Sequence, residues 1–132
     1  LDSFVNQQHL NFKQSVPYTH AVIDNLVNPK LMTLIHHEIK VSMNSTLKET
    51  DLFKVYQTSD LANFNIHETP QLFHLLSLRD ALYSEEFREL MQRITQCDTL
   101  TDQTDCSVNA YVNGSHLLCH DDVIGTRCVS YI

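Results

Sequence analysis

The chain has 132 residues, of which 42% are hydrophobic and only 2 are glycine and 3 proline, which excludes a disordered or collagen-like protein. Lysine and arginine number 9 against 16 acidic residues, and the net charge of −7 disfavours direct DNA binding and suits a basic partner. No apolar run reaches the roughly 20 residues that cross a membrane, so we expect one soluble, intracellular domain over residues 1–132 without a membrane partner.

The first part of the chain predicts two helices separated by a strand. One helix runs from Asp2 to about Gln14, and residues 19–24, which are apolar and β-branched, predict a strand. Asn28 followed by Pro29 predicts the second helix, because Asn caps free N–H groups and Pro is tolerated at the first helical position. This helix ends near Met43, and its expected buried stripe consists of Leu31, Leu34, Ile35 and Ile39.

The middle of the chain predicts a strand over residues 52–57, a loop over residues 58–60 and two short helices. One helix begins near Pro70 and carries Leu72, Leu75, Leu76 and Leu82. The other follows Ser84, a good N-terminal cap, with Glu85 and Glu86 in its favourable first turn.

The last part of the chain predicts strands. Residues 106–112 alternate, with Cys106, Val108, Ala110 and Val112 on one side, Asn113 and Gly114 indicate a turn, and residues 117–120 form a second extended run. Residues 129–132 predict a third strand that is still extended at the last residue, so we expect a truncated domain. Helices over a late antiparallel sheet define an α+β fold, and the short strands allow a jelly roll.

Two His-x-acid triplets are candidates for metal chemistry. On a helix, positions two apart point to nearly opposite sides, so His36 and Glu38 cannot hold one ion. On a strand, such positions share a face, so His120 and Asp122 can. Iron(II) oxygenases use two His and one carboxylate, of which this pair supplies one each. The missing partner would be a second His, and no His follows residue 122.

Alternative interpretations remain open at this point. The pair His120 and Asp122 is also typical of a solvated turn at a strand end. A set of softer metal ligands, with His116, Cys119, His120 and either Cys106 or Cys128, would favour a tetrahedral zinc site. The spacing of these residues fits no standard zinc finger. Without a C-x-x-C pair, we expect the four cysteines to be reduced thiols that act as small buried hydrophobes.

The family resemblance rests on two neighbouring segments, DCSVNAY at residues 105–111 and HLLCHDDVIGTR at residues 116–127. Together they resemble the ribosomal prolyl hydroxylase family of iron(II)- and 2-oxoglutarate-dependent oxygenases. The segments at residues 48–63 and 78–84 also look like segments of members of this family. The likeness therefore spans about residues 17–132, and the His-Asp-Asp segment is its most specific part.

The resemblance implies a double-stranded β-helix (jelly-roll) catalytic domain, of which this chain is the N-terminal portion, with helices packed on its first strands. Its implied reaction uses iron(II), oxygen, 2-oxoglutarate and ascorbate to hydroxylate a proline of a small-subunit ribosomal protein at the decoding centre, affecting translation termination. Residue by residue, His120 and Asp122 match two iron ligands and Tyr111 matches a tyrosine that contacts 2-oxoglutarate. The second His and an Arg for 2-oxoglutarate follow later in the family, so this chain alone is expected to be inactive.

The same resemblance implies translation termination factors and poly(A)-binding protein as further partners, and a location in the nucleus and cytoplasm. A different class of function remains as the alternative. In it, the chain is a noncatalytic interaction module that binds translation factors.

Overall fold

Helices and strands occupy separate blocks of the chain in the computed structural model, which describes all 132 residues. The helices are α1 (Asp2–Gln14), α2 (Pro29–Ser42), α3 (Phe73–Leu82) and α4 (Glu85–Thr95), with short 3₁₀ turns at Leu61–Asn63 and Pro70–Leu72. The strands are β1 (Thr46–Glu49), β2 (Phe53–Gln57), β3 (Asn109–Ala110) and β4 (His116–Leu117). None of the helices is long and apolar enough to cross a membrane. The α+β class is confirmed.

The predicted helices are confirmed, and two of them begin at the predicted caps. The Asn28 side chain accepts a hydrogen bond from the Lys30 amide at 2.9 Å, and the Ser84 hydroxyl accepts one from the Phe87 amide at 3.1 Å. Each cap satisfies one of the amide groups that a helix leaves free at its first turn. These starts were predictable because each bond joins residues only two or three positions apart.

Strand β2 is the centre of the antiparallel sheet. It pairs along one edge with β1, a strand that the sequence pattern did not predict, from Thr46 opposite Gln57 to Glu49 opposite Lys54. Along its other edge β3 and β4 lie end to end, each paired with β2 and not with one another. The turn at Asn113 and Gly114 is confirmed and belongs to the loop between β3 and β4. Four short strands do not confirm a double-stranded β-helix.

Two predicted strands are wrong, and two others are shorter than predicted. Residues 19–24 form no strand, because no other segment pairs with them. At the start of this segment the His20 amide donates to the Ser15 hydroxyl. Residues 129–132 form no strand either, and the Tyr131 ring packs instead against the Phe87 ring of α4. Of the run at 106–112 only Asn109–Ala110 is strand, and of the run at 117–120 only Leu117 is, paired together with His116 before it.

The main core lies where α2 and α3 meet the two 3₁₀ turns. It consists of Ile35, Leu61, Leu72, Leu75 and Leu76, and Cys106 and Val108 cover one side of it. The predicted stripe of α2 is right for Leu31, Ile35 and Ile39 and wrong for Leu34, which is 47% exposed. Helix α1 packs separately on α4, with Val5 and Ile94 buried.

The fold leaves an unusually large surface exposed. The chain exposes 9679 Å², whereas a compact monomer of 15.2 kDa exposes about 7100 Å². Apolar exposure is concentrated after residue 110, at Tyr111, Val112, Leu117, Leu118, Val123, Ile124, Tyr131 and Ile132. This part of the sheet and the loop after it therefore offer apolar surface to another polypeptide segment.

Candidate functional site

The candidate metal ligands follow β4 where the chain leaves the sheet. The Leu118 amide still donates to the Leu52 carbonyl at 2.9 Å, and beyond it the backbone is irregular. The prediction that His120 and Asp122 lie on a strand is therefore wrong. They meet instead in irregular backbone, where Asp122 has a left-handed conformation with φ of +55°, which short polar side chains tolerate.

The side chains of His120 and Asp122 face one another. Nε2 of His120 lies 3.0 Å from Oδ1 of Asp122, and the two side chains are 30% and 37% exposed. Nδ1 of His120 lies 2.8 Å from the Leu118 carbonyl oxygen. A carbonyl can only accept, so Nδ1 carries the hydrogen. In a neutral ring the lone pair is then on Nε2, directed at the carboxylate.

Electrostatics around His120 favour a cation at this place. The hydrogen bond to the Leu118 carbonyl is the main cause that raises the pKa of His120 above its ordinary value; desolvation opposes it, and Asp122 and then Asp121 add to the increase. A neutral Nε2 lone pair and a carboxylate repel each other at 3.0 Å. The arrangement is stable when a proton or a metal ion lies between the two atoms.

The separation of the two donor atoms is that of a direct hydrogen bond, and it also equals the separation of two neighbouring ligands on one divalent ion. Two ligands bonded at about 2.1 Å and at a right angle lie about 3.0 Å apart, which is the separation of Nε2 and Oδ1. A histidine that binds metal through Nε2 nearly always donates its other ring N–H to a carbonyl or carboxylate, as His120 does to Leu118. The chain contains no cluster of three or more His, Cys, Asp or Glu able to hold a metal ion.

Two residues that sequence reasoning did not single out support Asp122. The Ser130 hydroxyl donates to Oδ2 of Asp122 at 3.2 Å, which leaves Oδ1 for His120 or a metal. Arg127 lies between two acidic residues, with Nη1 3.5 Å from the Asp122 carbonyl oxygen and Nη2 3.4 Å from Oδ2 of Asp105. No local pattern reveals these contacts, because they depend on the path of the loop.

Tyr111 is the third predicted site residue. It follows β3, is 52% exposed, and its hydroxyl has no hydrogen-bond partner within the chain. The hydroxyl is thus accessible to a ligand, and its contact with 2-oxoglutarate stays a prediction.

The competing zinc set is not assembled. His116, Cys119 and His120 do not form a three-ligand cluster with Cys106 or Cys128. The expectation that the cysteines are buried hydrophobes is wrong for Cys119 and Cys128, which are exposed.

Glu38, whose triplet with His36 was rejected as a metal site, has a structural role. Its carboxylate accepts hydrogen bonds from the amides of His74 at 3.0 Å and Leu75 at 2.9 Å, and contacts Nδ1 of His74 at 2.6 Å. Leu72, which precedes α3, provides no side-chain cap. Glu38 therefore caps α3 from another helix and joins α2 to α3.

Glu38→Gln is expected to lower the free energy of unfolding at pH 7 by about 1–2 kcal/mol, because it removes a charged cap. Burial raises the pKa of Glu38, but the amides of His74 and Leu75 and the His74 ring outweigh this effect and hold the pKa below 4.5. The stabilisation is therefore complete above pH 4.5 and disappears as the pH falls through the lowered pKa.

Denaturant unfolding at pH 7 and at about pH 3 measures this contribution. The matched control is Glu89→Gln on α4, since Glu89 is exposed and forms no hydrogen bond or ion pair. An equal loss of stability in both variants at pH 7 would show that Glu38 acts only through net charge.

Comparison with known proteins gives two informative relatives. No family model matches the chain. The chain is 42% identical over 119 residues, covering 88% of its own length, to the prolyl 3,4-dihydroxylase OGFOD1 of Ostreococcus tauri. This chain is homologous to a segment of the prolyl hydroxylases. It is likewise 31% identical over 117 residues to the prolyl 3-hydroxylase OGFOD1 of Mus musculus.

The names of both relatives confirm the resemblance to prolyl hydroxylases that the segments at 105–111 and 116–127 indicate. The chain spans 23% of the length of the algal relative and 20% of that of the mouse relative. It therefore matches a segment of these two enzymes.

Proposed function

We propose that this chain belongs to an iron(II)- and 2-oxoglutarate-dependent prolyl hydroxylase, within which it forms the N-terminal portion of the catalytic domain and supplies two iron ligands. The observation that carries the proposal is the pair of donor atoms, Nε2 of His120 and Oδ1 of Asp122, 3.0 Å apart. The hydrogen bond from Nδ1 of His120 to Leu118 supports it, because it fixes the tautomer that a metal needs.

Each residue of the site has a distinct role in this proposal. His120 and Asp122 hold the metal, and Ser130 orients the Asp122 carboxylate through Oδ2. The Tyr111 hydroxyl can donate one hydrogen bond to a carboxylate of 2-oxoglutarate. Bound iron(II), with oxygen and 2-oxoglutarate, supplies the oxidising power for hydroxylation of a prolyl ring, and ascorbate keeps the metal reduced.

The proposed substrate is a proline of a small-subunit ribosomal protein near the decoding centre. The net charge of −7 supports a basic protein partner over a nucleic acid. Translation termination factors and poly(A)-binding protein are the further proposed partners, with a location in the nucleus and cytoplasm.

The test is hydroxylation by the full-length gene product that carries this sequence. It is incubated with iron(II), ascorbate, 2-oxoglutarate and proline-containing peptides from small-subunit ribosomal proteins. The expected product is a peptide heavier by one oxygen atom, formed only when 2-oxoglutarate is present. Absence of product from every peptide, under conditions in which an established prolyl hydroxylase is active, would contradict the proposal.

A noncatalytic interaction module is the second candidate, favoured by the apolar side chains exposed after residue 110. Titration of the full-length protein with metal and 2-oxoglutarate separates the two functions. An enzyme binds 2-oxoglutarate more tightly when metal is present, whereas an interaction module binds neither.

A further inference from the structure

Asn113 and Gly114 form the tip of the loop that joins β3 to β4, and the proposed function gives them no role. The Ser115 amide donates to the Val112 carbonyl at 2.9 Å, and the Ser115 hydroxyl accepts from the Val112 amide at 3.1 Å. These two bonds close a tight turn around Asn113 and Gly114. Gly114 has φ of +86°, which glycine adopts at little cost. So small and exposed a turn opens locally at a low cost in free energy.

Two groups that can react with one another are adjacent in this turn, the side-chain amide of Asn113 and the backbone N–H of Gly114. Both residues are exposed, the Asn113 side chain forms no hydrogen bond, and the Gly114 amide donates to no acceptor. A Cβ atom placed on Gly114 would meet nothing within 4 Å. Neither hydrogen bonding nor crowding therefore keeps the Gly114 nitrogen away from the Asn113 side chain.

We propose that Asn113 is a site of spontaneous deamidation, which converts it into isoaspartate in the folded protein. The Gly114 nitrogen bonds to the side-chain carbon Cγ of Asn113, and the bond from Cγ to Nδ2 breaks. The leaving nitrogen takes the proton of the Gly114 amide and departs as ammonia, which leaves a cyclic succinimide. Water then opens this ring at either carbonyl and gives isoaspartate or aspartate. Water is the only co-reactant, and no atom is oxidised or reduced.

Other asparagines of the chain lack this combination of features. Asn113 is the only asparagine that precedes glycine. Asn44 is also exposed, but it precedes Ser45, whose side chain hinders the approach of the backbone nitrogen. Asn109 lies in β3, and its side chain accepts a hydrogen bond from Gln57 at 2.9 Å. We therefore expect Asn113 to react before either of them.

The product alters the connection between two segments of the candidate site. Isoaspartate adds one methylene group to the main chain and one negative charge at the turn. Strands β3 and β4 each pair with β2 through only two residue pairs, so little pairing resists the longer loop. Tyr111 directly follows β3, and His120 comes shortly after β4. The modification therefore acts on the positions of both segments, whatever reaction the site performs.

The experiment incubates the full-length protein that carries this sequence for several days at mildly alkaline pH. Peptide mass spectrometry then measures, for each asparagine, the product in which a hydroxyl group replaces the side-chain amino group. Asn113 is expected to react about 10-fold or more faster than Asn44, because glycine hinders neither ring closure nor the rotation of the backbone. Protein isoaspartate methyltransferase, used as a probe, is expected to label the peptide with Asn113 and not that peptide in Asn113→Gln.

A parallel incubation in urea tests the contribution of the fold. The proposal expects Asn113 to react in the folded protein as well as in urea. Reaction in urea alone would show that the turn protects Asn113 and would overturn the proposal. Equal rates at Asn113 and Asn44 in the folded protein would overturn it too, as would a product without isoaspartate.

Hydrogen exchange at the end of β4 provides the second readout. The Leu118 amide donates to the Leu52 carbonyl at 2.9 Å, and its exchange is expected to be faster in the isoaspartate form. The matched control is Asn113→Asp, which adds the charge without the extra methylene group and is expected to exchange as the unmodified protein does. Equal exchange in all three forms would contradict the proposed effect on the strands.

Discussion

Under the proposed function, replacing His120 with alanine is expected to reduce prolyl hydroxylation by the full-length protein about 100-fold or more, because the proposed iron site loses a direct ligand. Asp122→Asn is expected to have a similar effect. Asparagine is the better replacement at this position because the backbone has φ of +55°, which asparagine tolerates and alanine does not. Product formation is measured by mass spectrometry at saturating iron(II) and 2-oxoglutarate.

Asp121→Asn is the matched control for these variants. It removes the same charge one residue away, and the Asp121 carboxylate binds only the Val123 amide, at 3.2 Å. It is expected to keep most of the activity. Equal losses in the Asp121 and Asp122 variants would mean that the negative charge of the segment matters and ligation by Asp122 does not.

Ile35→Ala is expected to lower the free energy of unfolding by about 3 kcal/mol, because it removes three carbon atoms from a packed core and leaves a cavity. Ile35 is 2% exposed and packs with four buried leucines in the main core. The expected loss is a large share of the stability of a domain of this size, which is about 5–15 kcal/mol. Urea unfolding measures it.

The adjacent Leu34→Ala is the control, since Leu34 is 47% exposed on the same helix. It is expected to cost less than about 1 kcal/mol. Comparable losses at both positions would show that Leu34 is buried as well, so that α2 has the broader buried face that its sequence pattern predicts.

Local signals explain why the helices were predictable. The caps at Asn28 and Ser84 are formed within three residues of the helix starts. Strand β1, by contrast, has four exposed residues and so shows no buried face from which it could be recognised. It exists because β2 pairs with it.

The candidate site was predictable only in part. The sequence placed His120 and Asp122 together, but they meet in irregular backbone with a left-handed residue at Asp122 and not on a strand face. The cap that Glu38 provides for α3 spans 36 positions, and the contact of Ser130 with Asp122 depends on a loop. Such contacts produce no periodic pattern in the sequence, because they depend on how distant elements pack.

The most direct test of paired ligation by His120 and Asp122 is the broadening of amide signals by manganese(II) in NMR spectra of the ¹⁵N-labelled chain. Manganese(II) is a redox-stable substitute for iron(II) with similar ligand preferences. Broadening at low manganese concentration is expected to centre on residues 119–123 and to disappear in both His120→Ala and Asp122→Asn. Broadening that persists in His120→Ala, or that centres on other acidic residues, would contradict paired ligation.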